Sequence, residues 1–383
     1  MAAPRPRTDD ALGARSASPY RIMVVDDSAV IRGLLVRSLE SDPDLAVVVS
    51  VANGQMALSA LQRHDIEIII LDIEMPVMDG LTALPKLIAA KPSVQVIMAS
   101  TMTRRGADIS LAALAAGAAD YVTKPGQSAL TTADMFKNEL LAKVKALAHA
   151  RRHAWGKPQP SRPVESTGTA QVAAASPSKL IEIKLRPVAT EKPDAIAIGS
   201  STGGPQALFQ VLGALKGLAQ PIFITQHMPP TFTTILGEHI TRLTGLRAAE
   251  AIDGELVEAG RVYIAPGDFH MVVEASGARR RLRLNQAAPE NFCRPSVDPM
   301  LRSLAQIYGR RLLCAILTGM GRDGRDGSEA LAAAGGTLIA QDEKTSVVWG
   351  MPGAVAAAGL CSAVLPLEEL GRFIANLANR SES

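Results

Sequence analysis

Aromatic residues make up 3% of the 383-residue chain. That scarcity argues against a protein that grips single-stranded nucleic acid by stacking bases on rings. Cysteine is scarce too. Cys293, Cys314 and Cys361 are an odd set without C-x-x-C spacing, which gives no disulfide framework or zinc knuckle and points to a reducing compartment. No run of about 18 apolar residues occurs, so no membrane-spanning helix is expected. The opening MAAPRPRTDDALGARSASP lacks the apolar core of a secretory signal and reads as a disordered arm over 1–19. The net charge is only +3, with the excess in residues 151–192 and near-neutral units on either side. A DNA-binding output domain would be basic.

What is present suits a globular protein: 47% hydrophobic and 20% charged residues, in a chain long enough for two domains. Between 20 and 150, apolar runs at 22–25, 47–51, 67–72, 95–100 and 119–124 alternate with helix-like segments such as 28–41 and 54–64. This pattern predicts a doubly wound five-stranded parallel sheet, closed by a helix over 134–152. Pro85 is expected to kink or shorten the helix that follows Asp79-Gly80. Residues 151–192 read as a linker rich in Pro, Ser, Ala and Gly, with the alternating stretch 180–186 as an edge strand or docking segment. From 193 to 383 a second α/β unit is predicted, with strands at 195–199, 221–226, 261–265, 313–318 and 337–341 in a mainly parallel sheet. An antiparallel hairpin, 271–275 with 281–285, is inserted in it. Arg279-Arg280-Arg281 fits a solvated hairpin turn better than an anion-binding patch.

Strand ends carry the chemistry. In the first unit Asp26-Asp27 follow strand one, Asp72 ends strand three, Ser100 ends strand four and Lys124 follows strand five. In a doubly wound sheet these positions converge on one crevice. Three carboxylates crowded there repel one another unless they hold a hard divalent cation, most simply magnesium. Beside it, one aspartate can attack a phosphoryl group while a lysine and a hydroxyl meet its oxygens.

In the second unit, Gly199-Ser200-Ser201-Thr202-Gly203 fits G-x-S-x-G, which sets a serine on a strand-to-helix turn. Neither the dinucleotide fingerprint nor the P-loop fits. The same pentapeptide also suits a turn that merely allows tight packing. A serine needs a base, and the base an orienting acid. His227 ends the next predicted strand. Asp323 and Asp326 lie in the glycine-rich loop 318-TGMGRDGRDG-327, whose backbone amides can face an oxyanion; Asp326 is the better helix cap. His239 falls in a predicted helix and His270 in a turn.

The first unit resembles the receiver domain of two-component response regulators over roughly residues 21–145. The resemblance implies that Asp72 is the phosphoacceptor and that Asp26, Asp27 and the Glu74 carbonyl join it around magnesium. Ser100 is then the switch hydroxyl, Tyr121 the aromatic switch and Lys124 the phosphate-facing lysine. A receiver, a linker, then GSSTGGP, QHMP, RPSVD (294–298) and TGMGRDG together resemble the chemotaxis response-regulator methylesterases, protein-glutamate methylesterases and glutamine deamidases of bacterial chemoreceptors. That resemblance implies Ser201 as nucleophile, His227 as base and Asp323 as the group orienting it. It further implies Thr202 as a support for His227 and the Met320 amide as oxyanion donor. Arg322 stands where some members carry asparagine. Also implied are a cytoplasmic enzyme, a chemotaxis histidine kinase as phosphodonor, methylated chemoreceptor cytoplasmic domains as substrate, no nucleic acid, no membrane insertion and no cofactor for hydrolysis. The receiver is expected to cover the Ser201 crevice until phosphorylated. A nucleotide-binding turn and a catalytically inactive signalling scaffold are the competing readings.

Overall fold

The computed structural model describes residues 18–124, 130–155 and 183–380. Most of the arm assigned to 1–19 and of the linker assigned to 151–192 lies outside them. The apolar runs of the first half form β1 (Tyr20–Val25), β2 (Leu45–Val51), β3 (Ile68–Asp72), β4 (Gln95–Ser100) and β5 (Asp120–Thr123). Between and after them come α1 (Ala29–Glu40), α2 (Gly54–Leu61), α3 (Gly80–Ala90), α4 (Arg104–Ala115) and α5 (Leu130–Trp155). The sheet is parallel, in the order β2-β1-β3-β4-β5. β3 is apolar up to its terminal Asp72 because both its faces are covered. Ile69 and Leu71 join the cluster that holds Leu84, Leu87, Leu111 and Leu114. Ile68 and Ile70 point the other way, into the cluster with Leu35, Leu39, Leu140 and Val144. Ser28, Asn53, Asp79 and Thr103 cap the first four helices through their side chains. α3 runs its 11 residues with Pro85 inside it, so the proline does not end that helix.

The second unit is built on a parallel seven-stranded sheet, β14-β13-β12-β6-β7-β9-β8. Its strands are β6 (Ala195–Ser200), β7 (Ile222–Gln226), β8 (Arg247–Glu250), β9 (Arg261–Ile264), β12 (Leu312–Ile316), β13 (Thr337–Gln341) and β14 (Ala363–Leu365). The expected antiparallel hairpin is present as β10 (His270–Ser276) and β11 (Arg279–Asn285), a two-stranded sheet of its own that also bridges Leu256 through Arg281. The helices are α6 (Gly204–Gly213), α7 (Phe232–Thr244), α8 (Val297–Tyr308), α9 (Arg325–Ala333), α10 (Met351–Ala357) and α11 (Leu367–Ala378). Residues 183–189 form no strand. They dock through Arg186 N–H on the Cys361 carbonyl and Ala189 N–H on Thr337.

The two units pack together. One apolar cluster runs from α2, α3 and α4 into α6 and α7, and Val348 of the second unit joins the core on the other side of the first sheet. Tyr121 stacks on Phe232 with ring centroids 4.6 Å apart and planes 7° from parallel. Gln206 donates to the Ala118 carbonyl at 2.6 Å, His239 meets Asp108 at 2.7 Å, and Arg104 pairs with Glu238 at 2.6 Å.

Candidate functional site

The central strands β12, β6 and β7 are adjacent, and each releases one candidate residue at its C-terminal end. Ser201 follows β6 directly, in a turn that Gly203 closes at φ 75° before α6 begins. A side chain at Gly203 would also strike Val347, and one at Gly204 would lie 2.0 Å from Gln226 Oε1. Gln226 ties the turn down: its Nε2 donates to the Ser201 carbonyl at 2.9 Å, and its Oε1 accepts from Ser200 at 2.7 Å. Across the crevice, Gly319 leaves room for Ser201, because a β-carbon there would lie 2.9 Å from Ser201 Cβ.

His227 follows β7 and is anchored by its N–H to the Ser200 carbonyl at 3.1 Å. Its Nε2 meets Asp323 Oδ2 at 2.7 Å. Asp323 is buried but well supplied with donors. Oδ2 also accepts Val297 N–H at 2.7 Å, from the first turn of α8; Oδ1 accepts Ser296 Oγ at 2.7 Å, Gly324 N–H at 2.9 Å and Asn291 Nδ2 at 3.0 Å. Burial alone would raise this carboxyl; His227 and the donors around it hold it well below the usual carboxylate range. Asp298 lies behind, pushed up to about 6 by burial and the Asp323 charge although Gly327 N–H bonds it at 2.6 Å. Asp326 sits in the first turn of α9.

The remaining nitrogen of His227, Nδ1, lies 3.4 Å from Cys293 Sγ. Ser201 Oγ makes no hydrogen bond among the described residues. Burial works to lower the imidazole; the charge of Cys293 and the bond to Asp323 outweigh it and raise it to about 10. Thr202 makes no hydrogen bond to His227 among the described residues: its hydroxyl donates to Asp120 Oδ2 of β5 at 2.8 Å. The Met320 N–H has no acceptor among the described residues, which leaves it available to an incoming oxygen. Sequence reasoning missed Cys293, Asn291 and Ser296. The RPSVD stretch carried the resemblance, yet no periodicity there could show that its serine and helix start would aim at Asp323.

The acidic crevice of the first unit is also assembled. Ligand atoms of Asp26, Asp27 and Asp72 lie within 4.8 Å of one another. Lys124 Nζ reaches Asp26 Oδ2 and Asp72 Oδ1, both at 2.6 Å. Burial raises the Asp72 carboxyl, with Lys124 opposing and Asp26 reinforcing. Ser100 is buried at the end of β4, its hydroxyl donating to the Thr101 carbonyl at 3.2 Å. Tyr121 is buried in the contact between units. The Glu74 carboxylate faces outward to Arg105, 3.3 Å away, and its carbonyl accepts no hydrogen bond among the described residues. Clustered carboxylate oxygens are the donors a small hard cation takes.

Comparison with known proteins agrees with this two-part reading. Residues 22–133 match the response regulator receiver domain, and residues 196–374 match the CheB methylesterase. The protein-glutamate methylesterase/protein-glutamine glutaminase of group 2 operon of Rhodospirillum centenum is 57% identical over 379 residues, 95% of each chain. The protein-glutamate methylesterase/protein-glutamine glutaminase of Azospirillum brasilense is 58% identical over 96% of this chain and 95% of its own. The crystal structure of the Thermotoga maritima CheB methylesterase catalytic domain covers 48% of this chain and 98% of its own, at 41% identity and a TM-score of 0.47. With a receiver matched ahead of a methylesterase and such identity over nearly its whole length, the chain belongs to the CheB methylesterase family.

Proposed function

We propose that Ser201, His227 and Asp323 are the working residues of a phosphorylation-regulated hydrolase that cleaves γ-glutamyl methyl esters, and deamidates glutamines, on chemoreceptors. The observation that carries the assignment is the His227–Asp323 bond at 2.7 Å, formed beside the strand that Ser201 directly follows. In molecules whose His227 is neutral, a share that grows as pH rises toward about 10, Ser201 Oγ attacks the ester carbonyl carbon as His227 Nδ1 takes its proton. The same nitrogen returns that proton to the departing methoxide, which leaves as methanol. Water then attacks the acyl-serine with His227 again as base, and glutamate is released. With glutamine as substrate, ammonia leaves instead. The Met320 N–H meets the developing oxyanion, a contribution of about 3 kcal/mol for such a donor. Asp323, ringed by donors, stays ionised and holds the ring so that Nδ1 faces the crevice. No part of this scheme calls on a metal or cofactor.

The receiver takes phosphate on Asp72 from a chemotaxis histidine kinase. Asp26, Asp27, Asp72 and the Glu74 carbonyl would hold magnesium, which neutralises charge on the incoming phosphoryl group. Lys124 and Ser100 meet its oxygens. In the unphosphorylated state the receiver restrains the hydrolase by holding Thr202, next to the nucleophile, on Asp120, and by stacking Tyr121 on Phe232. A hydrogen bond to a charged group is worth about 1.5–3 kcal/mol and an aromatic pair about 0.5–1.5 kcal/mol. Together they supply about 2–4.5 kcal/mol of the about 5.5 kcal/mol that separates 1% from 99% active. Receptor fragments carrying methylated glutamates, incubated with the chain, test the reaction: methanol and ammonia release should disappear in Ser201→Ala. Undiminished release from that variant would end the assignment.

A further inference from the structure

Cys293 lies in the turn between β11 and α8. The turn is stiff: Glu290 and Cys293 exchange backbone hydrogen bonds of 3.1 and 2.9 Å, and Asn291 Nδ2 bridges Asp298 at 2.8 Å and Asp323 at 3.0 Å. Asn291 and Phe292 both hold positive φ, 51° and 64°, a conformation non-glycine residues adopt only when their surroundings impose it. The result is a half-buried sulfur against the imidazole of His227. The other two thiols differ in every respect that matters for reactivity. Cys314 and Cys361 are fully buried in the apolar core, and burial pushes both thiols up, Cys361 to about 12. A reactive cysteine needs access and a neighbour able to take or share its proton, and only Cys293 has both.

The sulfur also occupies a position that matters for hydrolysis. Nε2 of His227 is committed to Asp323, so Nδ1 is the nitrogen left to receive the Ser201 proton. Cys293 fills it at 3.4 Å, and Ser201 Oγ is left without a hydrogen bond among the described residues. The titratable groups acting on His227 are Cys293 at Nδ1 and Asp323 at Nε2, with Asp298 behind Asp323.

We propose that Cys293 is a modification site on the catalytic base: its sulfur shares a proton with His227 Nδ1, competes with Ser201 for that nitrogen, and is where hydroperoxides and soft electrophiles stop the hydrolase. The inhibitory half of this rests on His227 acting as the base. In the modification step the sulfur attacks the outer oxygen of a hydroperoxide as its proton passes to Nδ1, 3.4 Å away. The S–O bond forms as the O–O bond breaks. The departing alkoxide, or hydroxide from hydrogen peroxide, takes the proton from His227 and leaves as alcohol or water. Sulfur is oxidised from thiol to sulfenic acid and the peroxide is reduced. The added oxygen sits between sulfur and imidazole and keeps Nδ1 from Ser201. A thiol reductant reverses the change.

The test treats the full chain at neutral pH with iodoacetamide, or with hydrogen peroxide followed by a sulfenic-acid probe, and reads each cysteine peptide by mass spectrometry. Cys293 should react at least tenfold faster than the buried Cys314 and Cys361, and at least tenfold faster than it does in His227→Gln. Hydrogen peroxide should cut methanol release at least tenfold in the unaltered chain, dithiothreitol should restore it, and Cys293→Ser should resist the peroxide. A Cys293 rate unchanged by His227→Gln, or equal peroxide inactivation of Cys293→Ser, would overturn the proposal. Labelling is read without turnover, so a chain whose Cys293 reacts in the His227-dependent way yet releases no methanol contradicts the hydrolase reading rather than the pair.

Discussion

Asp72 and Asp323 occupy equivalent places in two different sheets. One ends a central parallel strand, the other lies in the loop after one, and both are buried, at 6% and 2% exposure. Burial pushes both carboxyls up, yet the balance comes out with opposite sign: Asp72 is raised and Asp323 is held low. The difference lies in the donors. Asp323 accepts from His227, Ser296, Val297, Gly324 and Asn291, and these donors favour its anion. Asp72 has the Ile73 N–H and Lys124, and shares that lysine with a second carboxylate, Asp26. Its environment is under-supplied with positive charge, which suits the role proposed for it as acceptor of a phosphoryl group beside a cation.

The comparison predicts the largest effect at Asp323. Asp323→Asn leaves His227 without its anion and should lower methanol release by about 10⁴-fold, with phosphodonor giving no rescue. Asp72→Asn should instead abolish phosphodonor stimulation, on the order of 100-fold for a 1%-to-99% switch, and leave unstimulated release in place. Chelating divalent cations should reproduce the Asp72→Asn result, and a chelator that stopped unstimulated release as well would blur the distinction between the sites. Smaller again is the interface: Tyr121→Ala removes the stack on Phe232 and should raise unstimulated release up to about tenfold, with a correspondingly smaller response to phosphodonor.

The smallest effects are on stability and its pH dependence, where the two aspartates should part in sign. The Asp323 carboxyl is lowered on folding, so its contribution is present above the ordinary 3.8 and fades as pH falls through and below it. The Asp72 carboxyl is raised, so the folded chain takes up that proton first, and acidification toward 3.8 favours folding through this group alone. His227 is raised as well, so its contribution is full below 6.5 and is lost as pH rises toward about 10. Thermal melts at neutral pH should therefore show Asp323→Asn lowering Tm and Asp72→Asn leaving it unchanged or higher. Equal losses in both would remove the contrast.

Much of this architecture could be read from the sequence. Strands such as 68–72 and 195–200 are apolar at every position or nearly so because helices cover both faces, and that leaves an unmistakable run. β8 was missed because Arg247–Glu250 is a half-exposed edge with only alanines between its charged ends, and β14 because three residues carry no period. Of the two readings of the alternation at 180–186, edge strand or docking segment, its described part fits the second, since it docks through single hydrogen bonds rather than a ladder. Ser201, His227 and Asp323 were legible as strand-end residues. The partner of Thr202 was not, because it belongs to another domain 82 residues away in sequence, and nothing local distinguishes a threonine that holds a histidine from one that holds Asp120. Cys293 was invisible for a related reason: its loop has no pattern, and its importance comes from the ring it touches.

The most direct measurement of the central claim, that the state of Asp72 governs what Ser201 can do, is methanol release from methylated chemoreceptor membranes. It compares the full chain, Ser201→Ala and Asp72→Asn, each with and without a small-molecule phosphodonor and magnesium. The account predicts release that requires Ser201 under all conditions and rises with phosphodonor only when Asp72 is present. Stimulation that persisted in Asp72→Asn, or release that persisted in Ser201→Ala, would contradict it.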